Sequence, residues 1–565
     1  MNKNLYEKIS KWIFPLILVF LALYGINHGI DLKDTGYNAG NYGELETLDR
    51  MWYYSTFLSN MAGWVLVHLP GGKCLLGLNF YTALIKAGFS LFSYFFFIKE
   101  TEISRGTAFL ANVISLGLWW IPNAGLYHYL SFLFMCIGAA LIYRGLTSEK
   151  NRYFVIAGIV LALNILVRFP NVTNMALIVI VWWYSLLKKE KFGLCVKKTL
   201  YCMAGYLGTV AVSVLLLVIT GELSTYTESI KALFTMSDEA SKYGLKFMLV
   251  NLVNSYTCVK TWMVPVAALF VLCLIPGFIK TGGKLKTLFY VLSAVAAAGA
   301  YFWEFRLELF YFDFASYTSM YLFSVVMLVC TLFILCFGAF NVRFDIETRT
   351  LCAMALAIQF ITPLGTNNSL YAVINNLFFI LPVMLYVLVK LTGLKHCTYL
   401  HAGLMALVLF WALHAVLFRF EFNFSESGTS KLKYEVSGNA VLNGMKTGES
   451  RAALLNDLQK LWDDYGLSEY LLVSYGDIAG LSYYYGSEPA LSTTWPSLDS
   501  FVSDRFANEL AGLEKRMALG ERVAVAADGR LDDEGTKQEI LKKFLEENKF
   551  SLIYDNGIKI WISEE

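Results

Sequence analysis

Charged residues are scarce in this sequence: Asp, Glu, Lys and Arg together make up 16% of the 565 residues. Soluble proteins carry about 25%. Hydrophobic residues reach 57%, aromatic residues reach 16%, and the mean hydropathy is +0.52. A soluble globule could not bury that much apolar surface, and a disordered chain would need low hydrophobicity. The composition therefore predicts an α-helical polytopic membrane protein.

Cysteine is also sparse, and all ten cysteines lie between Cys74 and Cys397. Most of them sit in apolar runs, where cysteine usually acts as a small buried hydrophobic residue. Neither a CxxC motif nor a Cys/His spacing typical of zinc or redox sites occurs. We therefore expect no disulfide framework.

The motifs of common soluble enzymes are missing. The sequence contains no P-loop, no HExxH, no GxSxG and no GxGxxG at a strand–helix junction. Nucleotide-driven transport by this chain is therefore disfavoured. Nucleic acid is not among the expected partners.

The net charge of +2 is the sum of two unlike parts. Residues 1–420 hold 31 Lys and Arg against 19 Asp and Glu, whereas residues 421–565 hold 15 against 25. We predict a transmembrane domain over 1–420 and a soluble α/β domain over 421–565. In the second part, amphipathic helical patterns alternate with short strand-like runs. The helical patterns cover 448–465, 498–517 and 535–548, and the strand-like runs cover 469–475, 521–527, 549–554 and 558–562.

The first part contains about thirteen apolar runs, and a membrane-spanning helix needs about 20 apolar residues. The intervening loops that would face inward with a cytoplasmic N-terminus carry 20 basic residues in roughly 65 positions, against about nine in roughly 120 for the others. We expect a multi-pass plasma-membrane protein with a cytoplasmic N-terminus and an extracytoplasmic C-terminal domain. The predicted spans are 12–30, 77–98, 106–121, 127–144, 153–168, 171–187, 198–220, 262–279, 286–303, 319–338, 350–363, 371–389 and 402–419.

The first outer loop, residues 31–76, begins with the most informative stretch of the chain. Asp31 and Asp34 stand directly after the first predicted span. A carboxylate at the membrane surface is partly desolvated, which raises its proton affinity towards that of a useful general base. The alternative is a solvated loop in which Asp31 caps a helix. The neighbouring polar residues are candidates for binding a substrate: Tyr37, Asn38, Asn41 and Glu44.

This arrangement resembles the GT-C superfamily of membrane glycosyltransferases, which includes protein mannosyltransferases and aminoarabinose transferases. Asp34-Thr35-Gly36-Tyr37 is similar to the acidic first-loop motif of bacterial members. Arg168-Phe169-Pro170 and the run from Thr362 to Asn368 also fit that family. In the mannosyltransferases a Glu directly follows the Asp, whereas Thr35 stands here. The choice between Asp34, our first candidate for the base, and Asp31 therefore stays open.

The resemblance implies an inverting transfer of a sugar from a polyprenyl-phosphate carrier to an envelope glycan, lipid or protein. A first-loop Asp would act as the general base, and a cation would bind the leaving phosphate. Arg168 and Arg306 are the candidates for that cation, because Arg can grip a phosphate with two parallel hydrogen bonds. Asn367 and Asn368 are candidates for binding sugar hydroxyls. A divalent metal ion is left open as a cofactor, although the sequence shows no metal-ligand spacing.

Two other classes of protein compete with this interpretation. A transporter or flippase of a lipid-linked saccharide would place charged residues deep in its spans. The polar residues noted there, Asn164 and Asn251, are uncharged, which disfavours that class. An O-antigen polymerase or ligase-like enzyme normally has a large late outer loop rich in Arg and His. The sequence lacks such a loop.

Overall fold

The computed structural model describes residues 3–234, 245–257, 260, 263–279, 283–306, 314–366, 368–394, 396–426 and 428–563. Most of residues 3–421 form helices, and residues 428–563 form a mixed helix-and-sheet unit. The predicted class, a polytopic helical membrane protein with a C-terminal α/β region, is confirmed. The structure shows how these two parts meet, which the sequence did not.

Each predicted span overlaps a described helix, and further helices lie in the predicted outer loops 31–76 and 221–261. Among the described residues, seven helices are long and apolar enough to cross a membrane, and four further apolar helices are shorter. The helices are α1 (Lys3–Leu23), α2 (Asp34–Gly43), α3 (Arg50–Ser55), α4 (Phe57–His68), α5 (Leu75–Glu100), α6 (Arg105–Gly117), α7 (Leu126–Ser148), α8 (Asn151–Val167), α9 (Val179–Lys188), α10 (Phe192–Ile219), α11 (Leu223–Ala232), α12 (Leu245–Thr257), α13 (Met263–Leu274), α14 (Gly283–Arg306), α15 (Tyr317–Phe340), α16 (Ile346–Ile361), α17 (Leu370–Ile374), α18 (Leu377–Lys390) and α19 (Thr398–Glu421). A 3₁₀ stretch, Phe169–Ile178, leads into α9.

Two predicted spans have different ends. The first was expected to reach residue 30, but α1 ends at Leu23. Gly25 and Gly29 follow with φ of +72° and +82°, a left-handed conformation that does not continue an α-helix. The span predicted over 371–389 is divided into α17 and α18. Residues 24–33 are therefore free to leave the helix bundle and contact the C-terminal segment, which we define as residues 421–565.

The C-terminal segment contains a four-stranded sheet. Its strand order is β3-β4-β6-β5, with β3 and β4 parallel and the other pairs antiparallel. Three helices and four strands lie close to the predicted runs: α20 (Glu449–Tyr465), β3 (Leu471–Tyr475), α22 (Ser503–Met517), β4 (Val523–Asp528), α23 (Thr536–Glu547), β5 (Ser551–Asp555) and β6 (Ile558–Ile562). The structure adds three short elements that were not predicted: β1 (Tyr434–Glu435), β2 (Lys446–Thr447) and α21 (Leu481–Tyr485).

The sheet separates two apolar cores, because successive residues of a strand point to opposite faces. Leu471 and Val473 of β3 belong to the core that also holds Phe506 of α22. Leu472 belongs to the other core, together with Trp462 of α20. That second core also contains Ile30 and Leu32, which are 0% and 5% exposed and come from the first loop. The first loop is therefore part of the packing of the C-terminal segment.

Candidate functional site

A cleft opens where α1, α5 and α19 end near the first loop. It encloses roughly 630 Å³ of space, open solvent included. We call it the Asp31 cleft. Its lining includes Tyr24, His28, Asp31, Thr35, Asn79, Lys86, Trp119, Trp120, Arg419 and Asn423.

Asp31 lies in the wall of this cleft and is only 5% exposed. Its Oδ2 atom accepts a hydrogen bond from the Thr35 amide at 2.6 Å, and Oδ1 accepts one from the Lys33 amide at 3.2 Å. Burial raises the pKa of the Asp31 carboxyl, and these amides oppose the increase. Asp31 therefore accepts hydrogen bonds from amides at the start of α2, as the capping alternative expects, and it also lines the cleft. Its role as a base stays a prediction.

Asp34 is the first residue of α2 and lies three positions after Asp31 in the sequence. Burial and the negative charge of Asp31 raise its pKa to about 7, and Asp477 adds to the increase while Lys33 opposes it. Asp34 is not among the residues that line the Asp31 cleft. The two carboxylates are thus close enough to affect each other, but Asp31 is the one facing the cleft.

Two basic side chains line the same cleft, and the sequence analysis did not name either of them. Lys86 lies in the middle of α5 and is 1% exposed, and no ion pair involves it among the described residues. Arg419 in the last turn of α19 donates hydrogen bonds to the carbonyls of Leu21, at 2.8 Å, and Tyr24, at 2.6 Å. These bonds hold the guanidinium at the C-terminal end of α1, where carbonyls lack helical partners.

Two further polar atoms in the cleft have no hydrogen-bond partner within the described part of the chain. They are Nδ1 of His28 and Oδ1 of Asn79, and both are buried. The amide nitrogen of Asn79 donates to the Ile26 carbonyl at 2.8 Å, which fixes the orientation of the side chain. A buried polar atom without a partner is costly, so a cleft that holds two is suited to a polar ligand.

The predicted substrate-binding residues of the first loop lie outside the Asp31 cleft. The Tyr37 ring packs against Trp495, with 5.7 Å between ring centroids. Asn38 donates from Nδ2 to the Asp34 carbonyl at 2.7 Å, within α2. Asn41 is partly buried, and Glu44 is exposed at the end of the helix. Their roles in binding stay predictions.

Arg168, one of the two predicted phosphate ligands, lies outside the Asp31 cleft. Arg168 lines a second, smaller pocket together with His128 and Asn171, and its guanidinium lies 5.6 Å from the Tyr127 ring centroid. Arg306 ends α14, and its side chain lies outside the described residues.

The two asparagines predicted to bind sugar hydroxyls follow α16. Asn367 lies outside the described residues. Asn368 forms a turn in which its amide donates to Thr366 Oγ1 at 3.1 Å. Across the described part of the chain, no group of three His, Cys, Asp or Glu side chains is placed to hold a metal ion.

Lys86 could have been found from the sequence, because it is a lysine in the middle of a 26-residue apolar helix. An ionisable residue in such a position marks a functional site by default. The argument that the spans lack buried charge was therefore wrong. His28, Asn79 and Arg419 could not have been grouped with it, because only the folded chain brings helix ends from residues 24 to 423 together.

No protein family and no curated protein sequence matches the chain. Among solved structures, it is similar to the Archaeoglobus fulgidus oligosaccharyltransferase in complex with Zn and sulfate, with 13% identity and a TM-score of 0.45 over 92% of this chain and 68% of that one. It is also similar to ArnT from Cupriavidus metallidurans bound to undecaprenyl phosphate, with 10% identity and a TM-score of 0.40 over 99% and 98% of the two chains.

Proposed function

We propose that this protein is a membrane glycosyltransferase that moves a sugar from a polyprenyl-phosphate donor to an envelope glycan, lipid or protein. One observation supports this most strongly: the Asp31 carboxylate, Lys86 and Arg419 line one cleft at the ends of membrane helices. A lipid-linked sugar phosphate needs those features together. It requires access from the bilayer, positive charge for the phosphate, and a base for the incoming hydroxyl.

In the proposed reaction, the Asp31 carboxylate takes the proton of an acceptor hydroxyl. The hydroxyl oxygen then bonds to the anomeric carbon as the bond from that carbon to the phosphate oxygen breaks. The electron pair leaves with the lipid phosphate, and the single displacement inverts the anomeric centre. Lys86 and Arg419 stabilise the charge that develops on the phosphate, because both are in place before the reaction begins.

Asp31 is the better candidate for the base, although the sequence analysis placed Asp34 first. Asp31 faces the cleft, and the backbone amides of Lys33 and Thr35 fix both of its carboxylate oxygens. We retain Arg168 and Arg306 as proposed contacts to the phosphate or acceptor, outside this central group.

The membrane orientation is part of the same proposal. The basic inner loops support a cytoplasmic N-terminus, which puts the Asp31 cleft and the C-terminal segment on the extracytoplasmic side. Lipid-linked donors are suited to that side, because nucleotide sugars are absent there. A cysteine-accessibility experiment on single-cysteine variants of the C-terminal segment in intact cells tests the orientation.

The test of the function is the pair Asp31→Asn and Asp34→Asn, assayed for release of polyprenyl phosphate from a labelled lipid-linked sugar. Asp31→Asn should lower kcat by about 100- to 10,000-fold, the usual contribution of a general base. Its amide oxygen still accepts one backbone hydrogen bond, so the protein should fold. Asp34→Asn should retain substantial transfer. The reverse result would identify Asp34 as the base, and full activity in both variants would refute the mechanism.

A flippase of lipid-linked saccharides is a second candidate, because Lys86 is a buried cation within a helix. Such a protein would move the lipid across vesicles without breaking the sugar–phosphate bond. Transbilayer movement of a labelled lipid in reconstituted vesicles, with no release of polyprenyl phosphate, would favour it.

A further inference from the structure

The segment that carries Asp31 is attached to the C-terminal segment along its whole length. Residues 27–32 lie between α1 and α2 and belong to no helix. The backbone of Gly29 donates to the Lys446 carbonyl at 2.7 Å, and the Lys446 amide donates to the Asn27 carbonyl at 2.7 Å. The Asn423 side chain donates to the His28 carbonyl at 2.8 Å. These contacts join residues about 400 positions apart in the chain.

The same pattern continues on both sides of Asp31. The Ile30 amide donates to Glu426 Oε1 at 2.8 Å, and the Ile30 carbonyl accepts from Arg451 Nη1 at 3.1 Å. The Tyr484 hydroxyl donates to the Asp31 carbonyl at 2.5 Å. The backbone that precedes the carboxylate is thus fixed by side chains from the C-terminal segment.

The next contact is a close approach of two backbones. The Gly480 amide donates to the Leu32 carbonyl at 2.7 Å. A Cβ atom added at Gly480 would lie 2.8 Å from the Gly36 Cα and from a ring carbon of Tyr484, and 3.0 Å from the Leu32 carbonyl oxygen. Gly480 has φ of −79°, which any residue adopts. Glycine is therefore needed here for space rather than for backbone conformation.

Apolar packing adds to these hydrogen bonds. Ile30 and Leu32 flank Asp31, and both are buried in the core formed by Leu442, Leu481 and their neighbours. Their side chains therefore point into the C-terminal segment. Asp31 lies between them and lines the Asp31 cleft.

We propose that the C-terminal segment is the template that fixes the position of the catalytic carboxylate, with Gly480 and Tyr484 as positioning residues for Asp31. The effect on the reaction rests on the proposed function, whereas the effect on the backbone does not. The C-terminal segment then acts on the chemistry without touching the reacting atoms. Removal of the C-terminal segment would leave the backbone of residues 27–32 without the contacts that position the Asp31 carboxylate.

The test compares Gly480→Ala with Gly512→Ala in the full-length protein. Gly512 lies in α22 of the same segment, and a Cβ atom there meets nothing within 4 Å. Gly480→Ala should increase amide hydrogen exchange of residues 27–36 by about tenfold or more, with exchange of the β3–β6 sheet unchanged. It should also lower kcat by about tenfold while the KM for the donor changes less than twofold. Gly512→Ala should match the wild type in all three measurements.

Tyr484→Phe is the second variant, because it removes one hydrogen bond from the Asp31 carbonyl and keeps the ring. It should show the same changes at a smaller amplitude. Unchanged exchange over residues 27–36 in both variants would overturn the proposal, and so would increased exchange with an unchanged kcat. If the wild-type protein transfers no sugar, the proposed function fails and the exchange measurement alone decides whether the template exists.

Discussion

Lys86 allows the sharpest prediction about the Asp31 cleft. Its side chain is 1% exposed in the middle of an apolar helix, and its desolvation has already been completed on folding. A phosphate that enters the cleft supplies a hydrogen-bond partner to this desolvated side chain, and its negative charge favours the protonated form of the lysine. A hydrogen bond to a charged group contributes about 1.5–3 kcal/mol. Lys86→Met should accordingly weaken the binding of polyprenyl phosphate by about 10- to 150-fold.

The same substitution should leave the stability of the ligand-free protein unchanged or raise it. Replacing a buried charge by an apolar residue of similar volume is often neutral or stabilising. Lys198→Met is the matched control, because Lys198 is also buried in a helix but pairs with Glu190 at 2.6 Å. Loss of that lysine leaves the buried Glu190 with a hydrogen bond from Ser185 and a 4.0 Å ion pair with Lys188, and should cost up to about 3–5 kcal/mol of stability.

The assay is binding of undecaprenyl phosphate to the detergent-solubilised variants, followed by thermal unfolding of each variant with and without lipid. Lys86→Met should lose affinity and keep its melting temperature. Lys198→Met should keep affinity and lose melting temperature. Wild-type affinity in Lys86→Met would refute the assignment of this lysine to the phosphate.

Three further predictions concern the first loop. Asp34→Asn should leave the acid limb of the activity profile near its wild-type position, because the charge of Asp31 raises the pKa of Asp34, whereas Asp34 is not among the groups that shift the pKa of Asp31. The same variant should melt at a higher temperature than the wild type at pH 8 and at the same temperature near pH 3. The pKa of the Asp34 carboxyl rises from about 4 in the unfolded chain to about 7 on folding, so its ionisation destabilises the folded protein as the pH rises from 4 to 7. Asp49 is 4% exposed, forms an ion pair with Arg505 and accepts hydrogen bonds from amides in the first turn of α3. Asp49→Ala should therefore lower the free energy of unfolding by about 2–4 kcal/mol, and Asp49→Asn should lower it by less. Denaturant titration measures both.

The helices and strands could be predicted from the sequence because each depends on local pattern. Long apolar runs predict the membrane helices, and the short run 469–475 predicts β3, whose residues are buried on both faces. The end of the first helix was missed because the hydropathy of residues 24–30 outweighed the two glycines in the prediction. The two glycines, Gly25 and Gly29, were an available local signal, because glycine readily adopts the positive φ that both show in the structure.

The composition of the candidate site was predictable only in part. Asp31 was found because it is an acidic residue next to an apolar run, and its rank below Asp34 followed from a short motif. Its neighbours in the cleft come from α5, about 50 residues away, and from α19, almost 400 residues away, and no periodicity relates them. The contact with Tyr484 spans 453 positions. Such relations follow from the packing of the whole chain and have no local signal.

The low charge content that identified the membrane protein also gives meaning to the few charges it buries. Lys198 forms an ion pair with Glu190 at 2.6 Å, so its burial is compensated by a partner within the protein. Lys86 shares a cleft with Arg419, a second cation, and the acidic group in the same lining is Asp31, whose oxygens are engaged by backbone amides. Two cations in a partly apolar cleft repel each other and cost stability, unless an anion joins them. Under the proposed function, the lipid phosphate of the donor is that anion.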